Sequence, residues 1–420
     1  MPFCIGTPNY GEQATDYVDA LQKLVAFLDE DNNYVATVAV NSGGSGWAVD
    51  DYFEISGGTA EQGLTAVGRV TSVSSGVVTG VEMASMGAYS VDPTLTGAST
   101  SAVSPASGTG LTVDLTMDSL DYVVELDQVY DTTEREVFLQ GIGLDDSQNI
   151  YFGIRTHRDI QEDTYNWEVV GATGYNGALA WDGQPGSDND VTNSEFPSAD
   201  IPLLNSTIPY WFYANKQRVV LVMRASTVYL HGYLGFGLPF GPLSLYPYPL
   251  VWAGSAPGNS RIPTPIRFSE STDVLNNYLD PARGACFFRW VDGNNHVVEH
   301  HNETGGSDSD NPRCFPHRSE PSANVGGDPA YSQTLSGWAS NGIDWLQKFR
   351  DHGGEYPLLP IFFWNQEQFV SYVCQLDRVY WIPGFSLTSE DTVEVDSTKY
   401  RVFQNCDETG REHFIAIQEV

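Results

Sequence analysis

The stretch from Val219 to Leu250, VVLVMRASTVYLHGYLGFGLPFGPLSLYPYPL, constrains this chain more than any other. It is apolar enough to suggest a membrane helix, and Arg224 is its one formal charge. A spanning helix needs roughly 20 apolar residues without interruption. Here Gly232, Gly235, Gly237, Pro239, Gly241, Pro242, Pro247 and Pro249 break the run. Each break would leave backbone groups without partners in lipid. The segment therefore reads as a buried strand, with Val219, Leu221 and Met223 on one face and Val220, Val222 and Arg224 on the other. It continues through Val228, Tyr229, Leu230 and Tyr233 into a structured aromatic loop, and no membrane span is expected.

The rest of the composition agrees with a water-exposed chain. Charged residues make up 18%, against about 25% in ordinary proteins, while Gly (41), Tyr (22) and Trp (10) are plentiful. Acidic residues outnumber basic ones 54 to 20, a formal net charge of -34. Proteins that wrap nucleic acid need compensating Lys and Arg, so direct nucleic-acid binding is not expected. Such a charge favours solubility and a basic partner surface and says nothing of fold. The cysteines, Cys4, Cys286, Cys314, Cys374 and Cys406, are odd in number and widely spaced, with no CxxC pair. They read as reduced, buried thiols. The N-terminal MPFCIGTPNYGEQ has neither a basic head nor an apolar core, so no signal peptide is expected.

Helical periodicity first shows from Asp16 to Leu28, where Tyr17, Leu21, Leu24, Val25 and Leu28 share a face. Thr15 is the expected N-cap, Gln22 and Lys23 form the polar back, and Asp29-Glu30-Asp31 ends the helix. Residues 1–34 thus form an N-terminal helix packed on a main body. Residues 35–117 are rich in Gly, Ser, Thr and Val and nearly free of Lys and Arg, Arg69 excepted. A faint repeat of period 42 sets Trp47 on Tyr89, Val49 on Val91 and Asp50 on Asp92. Two copies are too few for a solenoid. A small, two-lobed, independently folding β module inserted at the periphery is expected, with a hairpin turning at residues 74–76. A central antiparallel body follows over 118–255, its strands joined by turn-rich loops without the helical crossovers of a parallel sheet. Residues 256–420 read as an irregular and β-rich region. It holds a hairpin between Cys286–Trp290 and His296–Val298, a short helix over 340–350, and closing hairpins that turn at Asp396–Thr398 and Asp407–Gly410. The fold class expected is mainly β, an antiparallel sheet or sandwich with a few short helices and the small inserted module.

The motifs of chemistry are faint. There is no HExxH, GxSxG, Walker loop or GxGxxG after a strand. The abundant carboxylates give no specific acid–base pair, since glycosidase chemistry is diagnosed by a measured separation. His296, His300, His301, Cys314 and His317 have residue types that suit zinc. His296 and His300, however, straddle a strand end, where i and i+4 lie roughly 13 Å apart. Asp145-Asp146 and Asp188-x-Asp190 offer oxygen ligands of the kind calcium takes, without the full EF-hand order. Solvated loops are the reading for all of these, so no metal, cofactor or catalytic residue is assigned. Exposed aromatics on a Gly/Asn/Asp-rich scaffold suit either sugar stacking or protein contact.

Several segments together resemble a family of virion structural proteins of tailed bacteriophages. They are TDYVDALQKLVAFL, EVFLQGIGLDDSQNIYFGIRTHRD, YNWEVVGATGYNG, the Val219–Leu250 stretch and the terminal KYRVFQNCDETGREHFIAI. The likeness covers most of residues 12–255 outside the insert and roughly 375–420. SGGSGWAVDD…ISGGT separately resembles the glycine-rich repeats of form GGSGYxVGDxLTxxGG found in phage tail and fibre proteins. It departs from that form at Glu54 and Ala60-Glu61, and the second copy is degraded. The resemblance implies a non-enzymatic virion part in the tail or baseplate region, made in the host cytoplasm. Its implied partners are other virion proteins and copies of itself in a symmetric assembly. A glycan- or receptor-binding module at the virion tip and a capsid or collar decoration protein are the alternatives. The candidate interface is the charge-free loop carrying Tyr233, Phe236, Phe240, Tyr246 and Tyr248. If exposed on a monomer, it would exceed the apolar area that monomers usually tolerate.

Overall fold

The structure is a computed structural model. It describes residues 1–130, 134–144, 148–161, 163–187, 197–246, 248–258, 285–291, 293–298, 313–315, 357–365, 371–384, 386–406 and 414–419. The chain is mainly antiparallel β, as its patterning leads one to expect. It opens with β1 (Phe3–Gly6) and the helix α1 (Tyr17–Leu28). Next come β2 (Tyr34–Ser45), β3 (Tyr52–Ile55), β4 (Thr59–Ala60), β5 (Val67–Ser74), β6 (Val77–Ser85), β7 (Tyr89–Val91), β8 (Ala98–Ala102) and β9 (Thr109–Asp118). The middle of the chain gives β10 (Val123–Val129), β11 (Arg135–Ile142), β12 (Asn149–Asp159), β13 (Thr164–Ala172), β14 (Ser198–Leu203), β15 (Tyr210–Asn215) and β16 (Arg218–Ala225). Then follow β17 (Val228–Phe236), β18 (Leu238–Pro239), β19 (Leu250–Ala253), β20 (Ala256–Gly258), β21 (Cys286–Arg289), β22 (Asn295–Val297) and β23 (Arg313–Phe315). The last strands are β24 (Leu359–Asn365), β25 (Ser371–Ile382), β26 (Thr392–Val395), β27 (Thr398–Gln404) and β28 (Phe414–Gln418).

The chain divides into two compact units, Met1–Asn149 with Leu204–Ala225, and Ile150–Leu203 with Ser226–Val420. These units cut across the division at 118–255 and 256–420 suggested by composition, because antiparallel pairing joins segments distant in sequence.

In the first unit, α1 buries Tyr17, Leu21, Leu24, Val25 and Leu28 as its spacing predicts. Its cap is Asp16 rather than Thr15, the Asp16 carboxylate accepting from the N–H groups of Val18 and Asp19 at 2.8 Å each. A carboxylate at this end also complements the helix dipole. Lys23, expected on the polar back, is buried: its ammonium donates to the Gln62 carbonyl at 2.5 Å and lies 3.9 Å from Glu12 and Asp19.

Residues 34–118 form one sheet in the order β2–β9–β8–β3–β5–β6, with β4 paired to β7. The sheet curls until β6 meets β2 again: the Val35 N–H donates to the Met86 carbonyl, and Gly43 passes so close to the Val78 carbonyl that a side chain would not fit. The expected two lobes are therefore a single near-closed barrel. Trp47 and Tyr89, the aromatics of the two repeat copies, enter one cluster with Phe53, Ile55, Val70 and Leu111. The β5–β6 hairpin turns on Ser75 and Gly76, both at positive φ, the geometry a two-residue hairpin needs.

The barrel is bonded to its surroundings in the same unit. Met86 N–H donates to the Phe3 carbonyl and Ile5 N–H to the Ser85 hydroxyl, each at 2.9 Å, and Tyr10 stacks on Tyr52 at 4.7 Å. Beside it, β1, β15 and β16 run antiparallel, Phe3 opposite Tyr213 and Tyr213 opposite Val220. Every residue from Val219 to Met223 is buried, so the strand at the heart of the sequence is covered on both faces.

In the second unit, β12–β13–β14–β20 and β17–β19–β21–β22 are antiparallel runs stacked face to face. Gly171 of β13 lies directly on the rings and methyls of Trp252 and Leu250 in β19. A further sheet, β23–β24–β25–β28–β27–β26, pairs its β25 with β18. The β26–β27 hairpin turns at Asp396 and Ser397, both at positive φ. The expected helix over 340–350 and the turn at Asp407–Gly410 lie outside the described residues.

Candidate functional site

The aromatic loop leaves β17 at Phe236 and is held at several points before it re-enters at β19. Leu238 and Pro239 pair with Gln375 and Cys374 of β25, and Phe240 N–H donates to the Val373 carbonyl at 3.1 Å. Gly237 N–H donates to the Pro249 carbonyl at 2.9 Å, closing the base, and the N–H groups of Leu245 and Tyr246 fold back on the Pro242 carbonyl. Four prolines in the sequence of the loop, Pro239, Pro242, Pro247 and Pro249, and this bonding leave the backbone little freedom.

Three of the five candidate interface residues are inside the chain's own core. Tyr233 is buried and donates its hydroxyl to the Phe236 carbonyl at 2.8 Å; Phe236 is buried beside it and meets Tyr248 edge-on at 4.9 Å. Tyr246 is buried, with its hydroxyl on the Arg289 carbonyl and its ring against Trp290. Tyr248 is half-buried and donates to the Ala172 carbonyl at 2.9 Å. The loop thus folds its tyrosines inward, because each phenol finds a carbonyl there and each ring a partner. Phe240 alone of the five stands out, at 52% exposure, with Phe362 edge-on at 6.2 Å. Leu245, which the sequence did not single out, is 71% exposed. Between them Gly241 stands in open space, and Pro242 and Ser244 are exposed.

Of the zinc-like cluster, His296 sits on β22 stacked against Phe288 at 6.0 Å. Cys314 lies in β23, and His300, His301 and His317 are outside the described residues. Among the described residues no group of three His, Cys, Asp or Glu is placed to hold a metal. Asp145, Asp146, Asp188 and Asp190 are likewise outside the described set. Cys4, Cys286, Cys374 and Cys406 are buried, and burial pushes the Cys4 thiol up to about 11.

A buried row of charge in the second unit carries no local signal in the sequence. Arg155, Glu168 and Asp200 stand directly opposite one another on β12, β13 and β14. Single-strand alternation could not reveal it, since the row exists only once the strand register is set. No protein-family model matches the chain, and no curated protein matches it.

Proposed function

We propose that this chain is a non-enzymatic structural component of a bacteriophage particle, in its tail or baseplate region, and that it assembles through the tip of the 237–249 loop. The observation that carries the reading is the pairing of exposed Phe240 and Leu245 on a charge-free loop pinned at both ends. A fixed apolar tip lowers the ordering cost of association, and large apolar side chains seated in a partner's pocket are where contact energy concentrates. The sequence resemblance supplies the context, and the glycine-rich barrel fits it as a decoration bearing a polar outer surface. Partners would be other virion proteins or further copies of this chain.

Replacing Phe240 and Leu245 together with Ser tests the proposal. Both side chains already face solvent, so melting should be unchanged, while incorporation into particles should fall by roughly tenfold or more, the loss of a modest hot spot. Unchanged incorporation would remove the loop from the assembly role. Side-chain labelling at the tip should also differ between free protein and intact particles. Equal labelling would make the tip an outward platform for a ligand such as a glycan.

A further inference from the structure

The row Arg155–Glu168–Asp200 places two carboxyl groups and one guanidinium on adjacent strands of one sheet face, with both carboxyl side chains buried. Arg155 Nε donates to Glu168 Oε2 at 2.6 Å, and its guanidinium lies 4.5 Å from the centre of the Trp181 ring, which screens it from water. The Asn166 side chain hydrogen-bonds Asp200. Among the described residues, Arg155 Nη2, Glu168 Oε1 and Asp200 Oδ1 find no hydrogen-bond partner. Arg155 therefore balances one carboxylate, and the second charge would be buried without compensation, which costs several kcal/mol for an ion of this size.

We propose that Asp200, set against the Glu168 carboxylate, keeps its proton in the folded protein at neutral pH, making the β13–β14 joint a proton-dependent lock. With that proton the row is neutral overall; without it the row carries a net negative charge in a site that water does not reach. Two carboxyls this close, sharing one cation, cannot both ionise at ordinary carboxylate pKa. The described groups around the row do not replace the proton. His157 and Tyr151 share Arg155's face of β12, Asp182 follows Trp181 in its turn, and β20 presents Ala256 opposite Asp200. Burial, with Glu168 beside it, raises the Asp200 pKa well above the usual carboxylate range. The folded chain thus keeps a proton that the unfolded chain releases. Stability contributed by the row is fully present in acid and is lost as pH rises from the carboxylate range through the folded pKa.

Infrared spectra of the full chain at neutral pH read the proton directly. The carbonyl stretch of a protonated carboxyl should be present in the native protein and absent from both Asp200→Asn and Glu168→Gln, because the remaining carboxylate then pairs with Arg155 alone. Absence of the band from the native protein, or its survival in either variant, overturns the retained proton. Should a variant fail to fold, the native spectrum decides alone. The pH dependence of melting gives a second reading: Asp200→Asn should flatten the alkaline fall in stability, and an unchanged slope would also overturn the proposal.

Discussion

His231 shows how one buried side chain sets a limit on conditions. It lies fully inside β17, where its Nε2–H donates to the Gln404 carbonyl at 2.9 Å and its ring meets Phe403 edge-on at 6.3 Å. A carbonyl acceptor fixes the neutral tautomer, and burial pushes the imidazole down to about 4 from 6.5. The unfolded chain therefore takes up a proton at a higher pH than the folded chain. Stability is lost as pH falls from about 6.5 to about 4, by up to about 3 kcal/mol. Melting temperature should drop across that window, and His231→Gln should melt with a shallower acid slope. Equal slopes would mean that the imidazole is not the group responsible. The raised Asp200 acts in the opposite direction, so its contribution declines over pH values in which that of His231 is gained, and the two partly offset each other. Both were beyond the reach of the sequence. A lone His in a strand and one Asp among many carry no mark of burial until the register brings Gln404 or Glu168 alongside.

At the scale of elements, the sequence was most legible where a local signal decides the outcome. The Ser75-Gly76 and Asp396-Ser397 turns, the α1 stripe and the β21–β22 hairpin follow from residue types a few positions apart. It was least legible where packing decides, as with the inward tyrosines of the loop and with Gly171. That glycine sits in a strand with no turn to explain it. A Cβ there would come within 2.4 Å of the Trp252 ring and 2.8 Å of a Leu250 methyl. Trp252 cannot retreat, since its indole N–H donates to the Pro197 carbonyl at 2.9 Å and its ring is stacked on Phe287. Gly171→Ala should therefore cost about 1–3 kcal/mol through forced overpacking. Gly183→Ala, where the added carbon meets nothing within 4 Å, should be near neutral. Urea unfolding of the two variants side by side tests this, and equal stabilities would show that β13 and β19 have room to part.

For the molecule as a whole, the glycine-rich insert raises the question of how far a segment with its own core is also independent. Its composition suggested a peripheral module that could be removed without consequence, and its near-closed sheet and internal aromatic cluster give it a core of its own. The body is less so. Without residues 35–117, β1 loses the Met86 N–H that bonds its Phe3 carbonyl and the Ser85 hydroxyl that accepts from Ile5. Tyr10 loses its stacking partner Tyr52, and Lys23 loses the Gln62 carbonyl that holds its ammonium. Apolar surface on α1 and β1 would then face water, at about 25 cal/mol for each Å² uncovered. The expected dependence is therefore one-sided. Excised residues 33–119 should melt cooperatively on their own, because the strands close on one another and leave few open edges. The chain with Tyr34 joined to Leu120 by a short linker should melt well below the intact protein. Circular dichroism of both pieces settles the matter: a deletion chain as stable as the parent would mean that the bonds to β1 and Lys23 add little, and an unfolded excised segment would mean that the barrel borrows its stability from the body.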